Sequence, residues 1–170
     1  MSQIVVRVAG VGDAEGIGRC HVDAWRWAYR GIMPDGVLDR LDAESRSQHW
    51  AQVVEGDDEH VWVAYHGGNV VGFASAGPAR DEEMGERVAE LYTLYVLRPV
   101  QGTGVGRRLM NAVLQHWQSV KTTAAVLWVA ADNLLGRRFY EAGGWALDGA
   151  TGKHPVGSHE ISVVRYRLTI

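Results

Sequence analysis

Apolar positions along the chain alternate between the period of two that marks a strand and the period of 3.6 that marks a helix. Residues 4–8 read as a short strand. Asp13 reads as a helix cap, and apolar or small residues then fall at 17, 20, 21, 24, 25 and 28, a helix with a broad buried stripe that Gly31 can end. Pro34 can open the next piece. Residues 37–41 predict a short helical turn, and 43–55 a helix carrying Trp50 and Val53-Val54. Two strands, 60–66 and 70–76, are joined by a Gly67-Gly68-Asn69 hairpin. The polar run 77–86, with Asp81, Glu82, Glu83 and Glu86, predicts a loop. Residues 88–97 are β-branched, aromatic or apolar at most positions, as a buried strand requires. Apolar positions 105, 109, 112, 113, 117 and 120 then take up helical spacing. Residues 124–131 are apolar without alternation, which fits a parallel or central strand. Asp132-Asn133 caps a helix to Ala142, and Gly143-Gly144 stops it. Residues 145–148 and 161–168 predict two last strands, with 149–160 as a polar connection.

The order β-α-α-β-β-β-α-β-α-β-β predicts an α/β (α+β) fold. Its central sheet is mixed and mostly antiparallel, flanked by helices, with one parallel crossover after residue 97. No repeat, low-complexity tract or linker interrupts it, so residues 1–170 read as a single domain.

The crossover carries the strongest local signal. Arg98-Pro99 ends the strand, because proline has no amide hydrogen for a ladder. Gln101-Gly102-Thr103-Gly104-Val105-Gly106 follows. Glycines there weaken any regular element unless the backbone must take positive φ or approach something closely. Arg107 and Arg108 stand in the first helical turn, where cations oppose the helix dipole. A bound anion reverses that sign, so the stretch reads as a phosphate site at a helix N-terminus. The plain alternative is a tight turn beside solvated arginines. The spacing matches neither G-x-G-x-x-G nor a P-loop.

Composition narrows the function classes. The net charge of −3 with no long basic run argues against nucleic acid as partner. Cys20 is the single cysteine, which rules out an internal disulfide and a cysteine-based metal site. No apolar run approaches the roughly 20 residues that cross a bilayer, and the first ten residues lack a basic stretch before their apolar ones. The expectation is a cytoplasmic protein with no membrane partner and no metal. Seven tryptophans suggest aromatic surfaces in a pocket or a subunit contact, and a homodimer through them or through the last strands is compatible with the sequence.

Gln101-x-x-Gly104-x-Gly106, directly after Leu94-Tyr95-Val96, resembles the acyl-CoA loop of the GNAT N-acetyltransferases, Q/R-x-x-G-x-G/A. A second stretch, Asn133-Leu-Leu-Gly136-Arg-Arg-Phe139-Tyr140-Glu-Ala-Gly143-Gly-Trp145, is similar to that family's N-x-x-A/G-x-x-F/L-Y-x-x-x-G-F/W. Gly136 and Trp145 replace the commoner alanine and phenylalanine. The resemblance implies an N-acetyltransferase that uses acetyl-CoA, by direct attack of a primary amine, with a small-molecule amine favoured over a protein amine. It also implies that Leu94, Tyr95 and Val96 flank the pantetheine arm, that Gln101, Gly102, Thr103, Gly104, Val105, Gly106 and Arg107 hold the diphosphate, that Asn133 lies beside the cofactor and that Tyr140 protonates the leaving thiolate. A non-catalytic acetyl-CoA-binding regulatory domain is the alternative from another class.

Glu90 is a carboxylate inside an apolar strand, and burial raises such a group toward a general base. The plain alternatives are a solvent-facing position or an ion pair with Arg7 or Arg98. The resemblance implies an acceptor wall from the first two helices and the loop after the third strand: His21, Trp25, Tyr29 and Arg30, with Asp81 to Glu86. Carboxylates at its mouth would attract a cationic amine. Core packing explains the aromatics equally well.

Overall fold

The computed structural model describes residues 3–170. Seven strands form one sheet: β1 (Val5–Val8), β2 (His60–His66), β3 (Asn69–Pro78), β4 (Val88–Val96), β5 (Ala124–Ala130), β6 (Ala146–Val156) and β7 (His159–Thr169). Their spatial order is β1-β2-β3-β4-β5-β7-β6. Every neighbouring pair is antiparallel except β4–β5, the expected parallel crossover. Five helices cover the sheet: α1 (Ala14–Ala28), α2 (Asp35–Asp39), α3 (Ala43–Glu55), α4 (Val105–Ser119) and α5 (Leu134–Ala142).

Helical spacing on α4 brings Leu109, Val113 and Trp117 into one buried stripe against Trp62, Ala64, Ala74 and Leu91. Burying side chains of this size stabilises by roughly 1.5–3 kcal/mol each. Phe139 and Tyr140 of α5 pack against the same cluster. On the other face Ile17 and Cys20 of α1 meet Trp50 of α3 over Val61, Val63 and Phe73. The chain therefore has three layers, with α4 and α5 on one side of the sheet and α1 and α3 on the other.

One detail of the sheet positions the site. β4 and β5 pair only over 88–91 with 124–127. Beyond Leu91 and Leu127 the two strands part, while β4 stays paired with β3 and β5 with β7. The second half of β4 therefore offers an open backbone edge. The Leu97 amide donates to the Val71 carbonyl on the β3 side. By alternation, Val96 and Leu94 turn their amides and carbonyls to the open side.

Two expectations change. The polar stretch 149–160 is not a connection: β6 and β7 form one long hairpin that turns at Gly157-Ser158. Asp13 stands at the N-cap of α1, yet its carboxylate makes no cap bond to the helix. It accepts instead from Arg7 at 2.7 and 2.9 Å, from the Tyr65 hydroxyl and from the Gly10 amide, and the Arg7 bond leads in holding its pKa down to about 2. Of the tryptophans, Trp50, Trp62, Trp117 and Trp145 are buried, while Trp27, Trp128 and Trp145 line a cavity, in keeping with the expected aromatic pocket. Among the described residues, no helix is long and apolar enough to cross a membrane.

Candidate active site

A cavity of about 810 Å³ occupies the gap between β4 and β5. Because the strands part there, the cavity passes through the sheet. Residues of α4 and α5 line it on one side, and Ala24, Trp27 and Ala28 of α1, with Tyr29 just after it, line it on the other.

The glycine stretch lies at one end. Gly104 is the N-cap of α4 at φ 91°, a left-handed conformation that glycine adopts without penalty. No side chain caps this helix, so its first amides stay open. Gly106 answers to a different constraint: a Cβ there would lie 3.2 Å from the Phe139 ring, so its absence lets α4 and α5 approach. Gln101 reaches back, its side-chain amide donating to the Val96 carbonyl at 3.1 Å, and so ties the loop to the end of β4. The Thr103 hydroxyl donates to the Val100 carbonyl. Arg107 is exposed and lines the cavity beside the loop, as do Gly102, Thr103, Gly104 and Gly106. Val105 does not line it; its side chain is buried in the core below. An open helix start, a left-handed glycine and a cation form a cradle for an anion, and the fit to a diphosphate is good.

Leu94, Tyr95 and Val96 line the middle of the cavity along the open edge of β4. Asn133, also on the wall, is the N-cap of α5, and its Oδ1 accepts from the Gly136 amide at 3.0 Å. A Cβ on Gly136 would lie 2.7 Å from the Asn133 amide nitrogen, so the glycine makes room for the cap. Tyr140, one turn further along α5, is half-buried and lines the same wall. Burial, then the nearby Tyr29, pushes its phenol above the usual value, so it carries its proton at neutral pH. Across the cavity the hydroxyls of Tyr29 and Tyr95 lie 2.9 Å apart, and burial is the main cause of the raised pKa of each.

Four anticipated residues stand elsewhere. Glu90 is buried but does not line the cavity. Its carboxylate accepts from the Arg80 amide at 2.9 Å, tying down the loop after β3, and not from Arg7 or Arg98. Burial raises its pKa, so that part of the expectation stands, but a base at this place would need water to reach the cavity. His21 and Trp25 sit outside the lining as well. Trp50 Nε1 donates to His21 Nδ1 at 3.0 Å, which leaves the proton on Nε2, and burial lowers the imidazole pKa to about 3. Trp25 packs between His21, Tyr29 and Tyr95. Arg30 pairs at the surface with Asp35 and Asp39.

Sequence reasoning missed Trp27, Tyr92 and Trp128, which wall the cavity. It also missed Ala24 and Ala28, whose helical spacing from Trp27 and small size were the available signal.

Comparisons with known proteins bear on the family and the fold. The sequence model of the acetyltransferase (GNAT) family matches residues 22–145. An uncharacterized N-acetyltransferase, YuaI, of Bacillus subtilis is 35% identical over 136 residues, covering 76% of this chain and 73% of the relative. A probable N-acetyltransferase of Mycobacterium tuberculosis is 29% identical over 170 residues, covering 98% and 94%. The solved PaiA N-acetyltransferase of Thermoplasma acidophilum, in complex with coenzyme A, shares the fold at TM-score 0.75 and 16% identity, over 98% of this chain and 99% of that one. YncA of Salmonella typhimurium, a putative acetyltransferase solved with acetyl-CoA, does so at TM-score 0.74 and 21% identity, over 99% and 94%. With the family model spanning both the glycine loop and the Tyr140 helix, the chain belongs to the GNAT family of acetyltransferases.

Proposed function

We propose that this N-acetyltransferase moves the acetyl group of acetyl-CoA to the primary amine of a small molecule, by direct attack and inside the cell. One observation carries the reading: a single cavity joins the open start of α4, the free edge of β4 and the hydroxyl of Tyr140. The coenzyme A in PaiA and the acetyl-CoA in YncA support the choice of cofactor.

The amides at Gly102 to Gly106, with Arg107, hold the diphosphate. The free edge at Leu94, with the amide of Val96, takes the pantetheine arm as an added strand would, while the Val96 carbonyl accepts from Gln101. When bound, the cofactor supplies an activated acetyl thioester. Tyr140 holds its proton at neutral pH and delivers it from its hydroxyl to the departing sulfur. A thiol has a pKa of about 8.5 against about 10 for an ordinary phenol, so the hydroxyl acts mainly by hydrogen-bonding charge as it develops. A general-base role for Glu90 requires a water between its carboxylate and the amine. The test is release of thiol from acetyl-CoA across a panel of amines. Turnover that depends on Tyr140 supports the reading, and tight cofactor binding without turnover on any amine favours a sensor instead.

A further inference from the structure

We infer that the acceptor enters as an uncharged, weakly basic amine on an apolar or aromatic body, and that it gives up its proton through the phenols Tyr29, Tyr95 and Tyr140, not to a carboxylate or an imidazole. The inference rests on the acetyl-transfer reading. It comes from the charge of the walls. Among the described residues, no Asp, Glu or His lines the cavity, and Arg107, beside the glycine loop, is its one charged wall residue. The other ionisable groups there are phenols: Tyr29 after α1, Tyr92 and Tyr95 on β4, and Tyr140 on α5. β5 contributes Leu127, Trp128 and Val129, which do not ionise.

Several carboxylates outside the lining are engaged with other groups. Glu90 accepts from the Arg80 amide, while Asp81 and Asp148 both pair with Arg165. Two of the aromatic walls are backed by cations: Arg80 lies 3.7 Å from the centroid of Tyr92, and Arg98 lies 5.4 Å from Trp27. A second positive charge on the acceptor would meet like charge at the rim and no counter-ion inside. The same walls offer apolar area and ring faces to an apolar or aromatic body.

The proton follows from the same census. As the N–C bond forms and the C–S bond breaks, Tyr140 gives its proton to sulfur. The nitrogen proton restores the phenol through the paired hydroxyls of Tyr95 and Tyr29, which are 2.9 Å apart. The net result is an amide and a neutral thiol, with no outside base. An alkylamine with a pKa near that of lysine is only about 0.04% free base at pH 7, whereas an amine with a pKa near that of a peptide α-amine is about 10–20% free. The site therefore favours the latter.

The test measures kcat/KM against pH for 2-phenylethylamine and for its 2,2-difluoro analogue, whose fluorines lower the amine pKa at nearly unchanged shape. The difluoro compound is expected to be faster at pH 7 by about tenfold or more, and the rising limb of each profile should track that amine's own pKa, in wild type and Glu90→Gln alike. Butylamine should outrun 1,4-diaminobutane by about tenfold or more. A limb fixed at one pH for every amine and lost in Glu90→Gln, or a preference for the diamine, overturns the proposal. Quenching of tryptophan fluorescence gives a second readout that needs no turnover. Binding of 2-phenylethylamine that strengthens as pH rises supports the proposal, and tighter binding of its ammonium form overturns it. Absence of thiol release from any amine would count against the acetyl-transfer reading, while the quenching experiment would still decide the charge preference.

Discussion

Two helices begin at the cavity, and their first turns are built in opposite ways. α5 satisfies its own start: Asn133 caps the Gly136 amide, and Gly136 is small so that the cap fits. α4 leaves its start open: Gly104 offers no cap, its left-handed backbone turns the chain, and Arg107 and Arg108 replace the acidic residues that suit a first turn. Glycines occur at both, yet they do different jobs. At α5 a glycine serves an internal hydrogen bond. At α4 one serves a turn toward a ligand, and the next, Gly106, serves the contact between the two helices. A helix that is already capped has little to offer an anion. An uncapped one with cations at its head is incomplete until an anion arrives.

Substitutions can break this contrast. Gly104→Val forces a side chain into a left-handed position, at about 1–2 kcal/mol of strain, and crowds the open amides. Its dissociation constant for acetyl-CoA, measured by calorimetry, should rise by about a hundredfold. Unchanged affinity would show that the open turn carries no ligand. Tyr140→Phe, about two turns along the capped helix, should lower kcat by at least about tenfold while leaving cofactor affinity nearly unchanged. An equal loss in affinity would make Tyr140 a binding residue.

Smaller effects sharpen the difference. Arg107→Ala should weaken acetyl-CoA binding by about three- to tenfold, with the deficit shrinking as salt is added. Asn133→Ala should cost about 1 kcal/mol of stability in denaturant unfolding, the usual worth of a cap. Cofactor affinity should stay within about twofold in that variant, because the cap is spent on α5 itself. A larger loss would move Asn133 from helix cap to cofactor ligand.

What the sequence revealed follows the same line between local and distant causes. The stretch from β4 through the glycine loop into α4 was legible because each part is locally determined: β-branched residues for the strand, Pro99 for its end, glycines for the turn, helical spacing after it. The β6–β7 hairpin was not. Its residues 149–160 are polar, with Gly149, Gly152, Pro155 and Gly157, and β6 is largely exposed, so hydrophobic alternation is missing. Pairing with β7 holds it in place, and an edge strand tolerates Pro155. On α1, spacing showed which face is buried but not what covers it. His21 turned out to face Trp50 and the core, while Ala24, Trp27 and Ala28 face the cavity. The parting of β4 from β5, which creates the cavity and brings Trp128 to its wall, depends on tertiary register that no local pattern records.

A crystal structure with acetyl-CoA tests the central claim most directly. The account predicts diphosphate oxygens within hydrogen-bond distance, about 3 Å, of the amides at the head of α4, and the thioester sulfur beside the Tyr140 hydroxyl. A cofactor bound with that turn empty, or with its sulfur out of reach of Tyr140, would contradict it.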